Sequence, residues 1–318
     1  MIDLHLHTNH SDGTDSVAEL LEKAEIQQLE IISITDHDTV GAYYEIENNP
    51  ELLNKFTGQL LVGVELKAIY NKTNIEILGY GFDYKKLRIR VPDKEKMQNE
   101  ILQHFVTVGK KIGLVFDENI KIEINNPEKY FAGTTFANEI LKYKENIDII
   151  ERISKNFTVD SFYRKHESNI DSPFYYDASK YYPNINEVIE NIHEAGGLVF
   201  LAHGFEYPFN NPEKEIENIL KTTNIDGLEC EHSCFTKEQI IFMKDLCKKY
   251  NKYMSGGTDY HAKNKPDVKL GTGINNNMKI NKELIQDWIR RRCKGNFIRK
   301  PTIDDEIYKD EVNKYELL

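Results

Sequence analysis

Eight side chains able to bind metal stand at or just past the ends of apolar runs: His5, His7, Asp12, His37, Glu65, His203, Asp259 and His261. Successive side chains of a strand point to opposite faces. His5 and His7 therefore project the same way from the end of one strand, and Asp259 and His261 repeat that spacing. Asp12 sits in a Ser-Asp-Gly turn that can bend back over the same strand end. Neutral imidazole is the commonest metal ligand among side chains. An isolated His-x-His can be accidental; here six further candidates accompany it. One tetrahedral zinc needs about four ligands, so this set suits two or three metals that share a bridging carboxylate. Nitrogen and oxygen donors without thiolate point to Zn, Mn or Fe. Closely spaced divalent ions can clamp a phosphate and turn a bound water into hydroxide at neutral pH.

The elements that must position these groups alternate along the chain. Ile2 to Leu6 reads as a buried strand. Asp15 or Ser16 caps a helix to about Gln28, with Val17, Leu20, Leu21 and Ala24 on its apolar face. Ile31 to Ile34 is the next strand, ending in Asp36-His37-Asp38. Strand, helix and strand within some thirty residues make a βαβ unit with a parallel sheet, and chemistry collects at the carboxyl ends of such strands. The triplet could instead cap a helix over Thr39 to Glu47. Leu60 to Leu66 is a third strand. Its Glu65, between Val64 and Leu66, is either in a salt bridge or on a metal. Asn74 to Tyr80 follows, with Glu76 on the face of Leu78, as a surface residue or a ligand.

From about Tyr84 to Tyr182 the pattern changes to polar helices: Asp93 to Ile112, Thr134 to Tyr143 and Ile147 to Asn156. Arg88, Arg90, Arg164, Lys165 and His166 in this stretch are either anion contacts or plain solvated residues. Alternation resumes with a helix over Asn186 to Ala195 and the strand Leu198 to Ala202 before His203. It continues with the strand Gly227 to Cys230 before Glu231-His232, and a helix over Thr236 to Tyr250. Tyr253 to His261 follows, where Gly256 and Gly257 permit close backbone approach. A last helix spans about Lys282 to Arg292. The expected organisation is a discontinuous barrel, 1–84 and 184–295, a helical insertion, 85–183, capping the site, and a charged tail, 296–318.

The chain has 318 residues, 40% of them hydrophobic, which is enough for a full core. It opens directly on its first strand, so a cleavable signal peptide is not expected. No run of eighteen apolar residues predicts a membrane span. The four cysteines, Cys230, Cys234, Cys247 and Cys293, form no CxxC pair. Free thiols fit a cytoplasmic protein. A net charge of −11 with no basic run argues against gripping duplex nucleic acid. It is compatible with a small anionic substrate, because bound cations dominate local charge.

Six motifs in order resemble those of the PHP (polymerase and histidinol phosphatase) family: His5-Leu6-His7-Thr8, Ser11-Asp12-Gly13, Thr35-Asp36-His37-Asp38, Gly63-Val64-Glu65, Ala202-His203 and Thr258-Asp259-Tyr260-His261. The branch that they resemble includes nucleoside 3′,5′-bisphosphate phosphatases and related 5′-to-3′ exoribonucleases. The resemblance implies a distorted (β/α)7 TIM-like barrel, an α/β fold with an inserted helical subdomain. It also implies two or three divalent metal ions (Zn, Mn or Fe) and phosphoesterase activity. By motif, His5, His7, Glu65 and Asp259 would hold a first metal. Glu65 would bridge to a second, shared with His203, and Asp12, His37 and His261 would hold a third. Many relatives place a further histidine in a His-x-Leu-Gly segment; here it reads Glu76-Ile77-Leu78-Gly79, which makes Glu76 a candidate ligand.

The substrate contacts differ. The Arg-Pro-His segment of nucleotide-specific relatives corresponds to Gly133-Thr134-Thr135-Phe136-Ala137. A Ser-His-Thr segment becomes Cys234-Phe235-Thr236, and Ala-His-Pro becomes Ala202-His203-Gly204. His232 is a candidate replacement contact, or a surface histidine. The expected function is a metal-dependent phosphoesterase for a small phosphomonoester or nucleotide phosphate. The alternatives are a metal-dependent hydrolase of a non-phosphate bond and a degenerate barrel that acts as a sensor or interaction module.

Overall fold

A computed structural model describes residues 1–90, 92–123, 129–292, 297 and 298. Seven strands form one sheet in sequence order: β1 (Ile2–Leu6), β2 (Ile31–Ile34), β3 (Gln59–Tyr70), β4 (Thr73–Tyr80), β5 (Leu198–Leu201), β6 (Gly227–His232) and β7 (Tyr253–Gly257). The sheet curls until its ends meet. Leu6 bridges Tyr260, and Thr258 N–H donates to Asp3 Oδ1 at 2.8 Å. Gly257 permits this closure, since a Cβ there would stand 2.3 Å from the His5 Cβ. The result is an α/β barrel. All neighbours are parallel except β3–β4 and β4–β5, so β4 alone runs against the rest. Its reversal is a tight hairpin at Asn71 and Lys72, whose φ angles of 47° and 66° suit the right-handed twist of the flanking strands.

Helices α1 (Val17–Ile26) and α2 (Gly41–Asn48) follow β1 and β2. Ser16, not Asp15, caps α1, in a reciprocal capping box with Glu19 worth about 1 kcal/mol. Asp15 instead accepts from Lys23 Nζ and Tyr260 Oη. The cap of α2 is Val40, without a side-chain hydrogen bond, so Asp36-His37-Asp38 is free of that duty. Between β4 and β5 run α3 (Lys94–Ile112), α4 (Ala132–Ile140), α5 (Ile147–Ile153) and α6 (Val159–Phe162). They share an apolar cluster of their own, centred on Phe105, Phe136, Phe162 and Phe174. Helix α5 stops at Ile153, three residues short of the expected Asn156.

Helices α7 (Ile185–Glu194), α8 (Pro212–Thr222) and α9 (Lys237–Tyr250) pack outside the sheet. The sequence reading passed over α8, although Pro212 at its start and buried Ile216, Ile219 and Leu220 signal it. The expected last helix is split into a 3₁₀ turn, Lys282–Ile285, and α10 (Gln286–Arg292). Trp288 of α10 joins Ile2, Leu4, Leu78, Tyr80 and Phe200 in a second buried cluster. Cys293 and most of the expected tail, 296–318, lie outside the described residues. Among the described residues no helix is long and apolar enough to cross a membrane.

Candidate metal centre

The ligand candidates converge at the carboxyl-end rim. Glu65 is the hub. On β3, Val64, Leu66 and Ala68 pack under the helices, so Glu65 faces the barrel interior, where it is fully buried. Its Oε2 lies 3.2 Å from His5 Nε2, 3.3 Å from His7 Nε2 and 3.2 Å from His37 Nδ1; its Oε1 lies 2.9 Å from His203 Nε2. Among the described residues the ion-pair partners of Glu65 are imidazoles, not the lysine or arginine of an ordinary salt bridge. Glu76 faces inward by the same logic, because Ile75 and Ile77 join the helical layer while Leu78 does not. Its oxygens stand 3.5 Å from His37 Nδ1 and 3.4 Å from His203 Nε2.

A second constellation gathers on the other side of His7. Asp12 Oδ1 is 3.1 Å from His261 Nε2 and 3.7 Å from His7 Nδ1, and its Oδ2 is 3.7 Å from His37 Nε2. Asp259 Oδ1 lies 3.3 Å from His261 Nδ1, 3.4 Å from His7 Nε2 and 3.6 Å from His5 Nε2. The Asp12 turn comes this close because Gly13 lacks a Cβ, which would meet the His7 carbonyl oxygen at 2.4 Å. Asp36 secures the turn by accepting from Thr8 N–H, Thr8 Oγ1 and Ser11 Oγ at 2.6–2.7 Å.

These donors fit divalent cations. Three groups each bring single ligand atoms within 4.8 Å of one another: His5, His7 and Glu65; His37, Glu65 and Glu76; and His7, Asp12, His37 and His261. Buried His7 Nε2 and His37 Nδ1 make no hydrogen bond despite lying beside Glu65, an arrangement that a cation between donor atoms resolves. The electrostatics agree. Burial opposes charge on His7, yet the Asp259 and Glu65 carboxylates that face it lift its pKa to about 9. Burial works against ionised Glu65 and Asp259 too, but the imidazoles, His5 foremost, hold both well below the usual carboxylate range. Burial drives His37 down to about 4 and also lowers His261. Burial and the neighbouring Glu65 charge raise Glu76.

Several supporting residues escaped the sequence reading. His5 Nδ1–H donates to Glu229 Oε1 at 2.9 Å, and Glu229 Oε2 accepts from His203 N–H at 2.7 Å. Such a carboxylate behind a histidine fixes its tautomer and orientation. Asp3 accepts from the backbone of Thr258 and Gly271 and from Thr258 Oγ1. Both acids lie between apolar strand neighbours, the same signal that singled out Glu65.

His232 is buried, with Nε2 3.4 Å from Asp259 Oδ2, so it is not a surface histidine. Phe235 packs edge-on against Phe205, and Thr236 caps α9. Gly133-Thr134-Thr135-Phe136-Ala137 belongs to α4, with Phe136 in the insertion cluster. His166 is buried too, among Phe157, Phe162 and Phe174, so it is not a solvated residue. Arg88 pairs with Glu194, and Arg90 donates to the Lys180 carbonyl. Lys165 is exposed, and the side chain of Arg164 lies outside the described residues. A small cleft of about 70 Å³ opens beside Glu76 and His203, lined also by Lys67, Ser168, Glu206 and Tyr207. A larger cavity of about 590 Å³, near Tyr43, Phe82 and Tyr84, touches none of the candidate ligands.

The PHP domain profile matches residues 3–233. The chain belongs to the PHP family. Over 265 residues it is 25% identical to a 5′-3′ exoribonuclease of Haemophilus influenzae, covering 81% of this chain and 89% of that one. A phosphoribosyl 1,2-cyclic phosphate 1,2-diphosphodiesterase of Eggerthella lenta is 22% identical over 263 residues, covering 82% and 94%. A solved structure described as an amidohydrolase from Chromobacterium violaceum superposes with a TM-score of 0.63 at 20% identity, over 96% of this chain and 99% of that one, and so shares this fold.

Proposed function

We propose that this PHP-family phosphoesterase hydrolyses a small phosphomonoester or the phosphate of a nucleotide. The observation that carries the reading is Glu65, a buried carboxylate touched by four imidazoles from β1, the β2 end and the β5 end. His5, His7, Glu65 and Asp259 would hold one cation, Glu65, Glu76 and His203 a second, and Asp12, His37 and His261 a third. Zn, Mn or Fe suits such nitrogen and oxygen donors. Bound ions supply charge neutralisation for a phosphoryl group and a water acidic enough to attack at neutral pH.

The chain's own residues do the rest. Glu229 orients His5, Asp36 holds the Asp12 turn, and the cleft beside Glu76 and His203 admits one phosphoryl group. The helices between β4 and β5 act as a cap over this rim. Ser168 lines the cleft, and the Tyr182 ring centroid stands 5.8 Å from Lys67 Nζ. The exoribonuclease relative supports a second reading, in which the phosphate belongs to the end of a single-stranded RNA.

The test is metal content by elemental analysis, paired with hydrolysis of nucleotides, sugar phosphates, a 5′-labelled short RNA, esters and amides. Two or three ions per chain with phosphate release from the small substrates is the expected result. Nucleotide release from RNA alone would transfer the reading to the second substrate. Metal with hydrolysis of amides only, or no metal after reconstitution with Mn and Zn, would overturn both.

A further inference from the structure

Asp259 presents its two oxygens to different neighbours. Oδ1 faces His5, His7 and His261. Oδ2 faces away from them and is held from two sides, by His232 Nε2 at 3.4 Å and by Lys265 Nζ at 2.5 Å. The proton on His232 is directed. Cys234 N–H donates to His232 Nδ1 at 3.3 Å, which leaves Nε2 as the protonated nitrogen, the one that donates to Asp259. Asp259 itself has φ of 59°, a left-handed backbone that a non-glycine residue keeps only when its surroundings impose it.

Lys265 reaches Asp259 from the segment after His261, and that segment also grips the Asp12 turn. Lys263 N–H donates to Thr14 Oγ1 at 3.0 Å, and Asn264 Nδ2 donates to the Asp12 carbonyl at 2.6 Å. Segment 262–265 thus braces two candidate ligands from opposite ends of the chain.

We infer that His232 and Lys265 clamp Asp259 Oδ2, leaving Oδ1 as its metal-facing oxygen, so that both are positioning residues of the metal centre proposed above. A carboxylate held this way cannot rotate to chelate through both oxygens. The clamp sets its binding mode before a cation arrives, and outer partners of this kind change metal affinity by about 10- to 100-fold. Lys265 acts on Asp259, and substrate affinity does not depend on it.

The test is calorimetric titration of the chelator-stripped full chain with Mn²⁺ and with Zn²⁺. Lys265→Met should weaken at least one binding event by about tenfold or more, and Lys265→Arg should restore most of it. His232→Phe should weaken the same event, while His232→Gln, which keeps a donor near the Nε2 position, should weaken it less. Circular dichroism and thermal melts in chelator check each fold; if Lys265→Met does not fold, the two His232 variants decide. KM for a phosphomonoester at saturating metal should stay near the wild-type value in Lys265→Met. Unchanged metal affinity in Lys265→Met and His232→Phe overturns the clamp, and so does unchanged affinity with a raised KM, which would make Lys265 a substrate contact. A wild-type chain that binds no metal sinks the metal centre itself, a different result from a wild type that binds metal and variants that match it.

Discussion

Buried histidine occurs in two settings in this chain. At the barrel rim, His5, His7 and His203 lie against Glu65, and opposing carboxylates overcome burial to raise all three pKa values. In the helices between β4 and β5, His166 is as buried but lies among phenylalanine rings, its Nε2 without a hydrogen bond and its pKa lowered by burial. His104 beside Phe105 and Tyr176 follows the same rule. His166 matches the rim histidines in residue type and low exposure, and His104 is half-buried; what separates them from the rim is their neighbours. A ligand set is recognised by imidazoles that share a carboxylate, not by histidine in a core.

The comparison predicts unequal responses to mutation. Glu65→Gln should have the largest effect, because one neutralised oxygen pair removes the charge that four imidazoles face. Losing several kcal/mol of metal-supplied stabilisation corresponds to about a thousandfold or more in kcat/KM. Elemental analysis should show a matching loss of bound metal, and near-wild-type values in both assays would break the contrast. Glu229→Gln leaves the hub intact but weakens the hold on His5. It should lower metal affinity about 10- to 100-fold, measured by chelator competition, with folding retained.

Acidity sharpens the same contrast. With its pKa raised to about 9, His7 carries a proton at pH 7 that an incoming cation must displace. Metal affinity should therefore rise with pH, by roughly tenfold per unit for each proton displaced, with the His7 share of that rise ending above about pH 9. Calorimetry in buffers of different ionisation enthalpy reads the released proton directly; no release at pH 7 would contradict the raised value. His166→Phe should have the smallest effect. It exchanges an imidazole whose Nε2 is unsatisfied, at the loss of one long contact between Nδ1 and Ser172 Oγ, for another ring in an aromatic cluster, so stability should change by less than about 1.5 kcal/mol in either direction. Metal content should match wild type, and a loss would join the insertion histidines to the rim.

Much of the rim was legible because strand alternation and apolar flanks act over two or three residues. His5 and His7 from one strand end, Glu65 between Val64 and Leu66, and the Gly257 approach all follow from such short-range rules. The inward aim of Glu76 was not decidable locally, since it depends on which face of β4 meets the helical layer. The reversal of β4 rests on two left-handed residues, Asn71 and Lys72, which lack the glycine that usually announces such a turn. Asp3 and Glu229 were readable by the test applied to Glu65 and went unread. The Lys265 contact was beyond reach, because a surface-type lysine six positions from its partner carries no periodic signal.

The closure of the barrel has a consequence for how the protein is made. Asp3 is hydrogen-bonded to Thr258, 255 positions later in the chain, and this contact joins the first strand of the barrel to the end of its seventh. A ribosome adding about 5–20 residues per second separates the two by something on the order of ten to fifty seconds. Throughout that interval His5 and His7 wait on a nascent chain that has not yet received Asp259 or His261. Assembly of the proposed metal centre would therefore be a late event in the life of each molecule, and a translation product that stops before Asp259 lacks two of its candidate ligands.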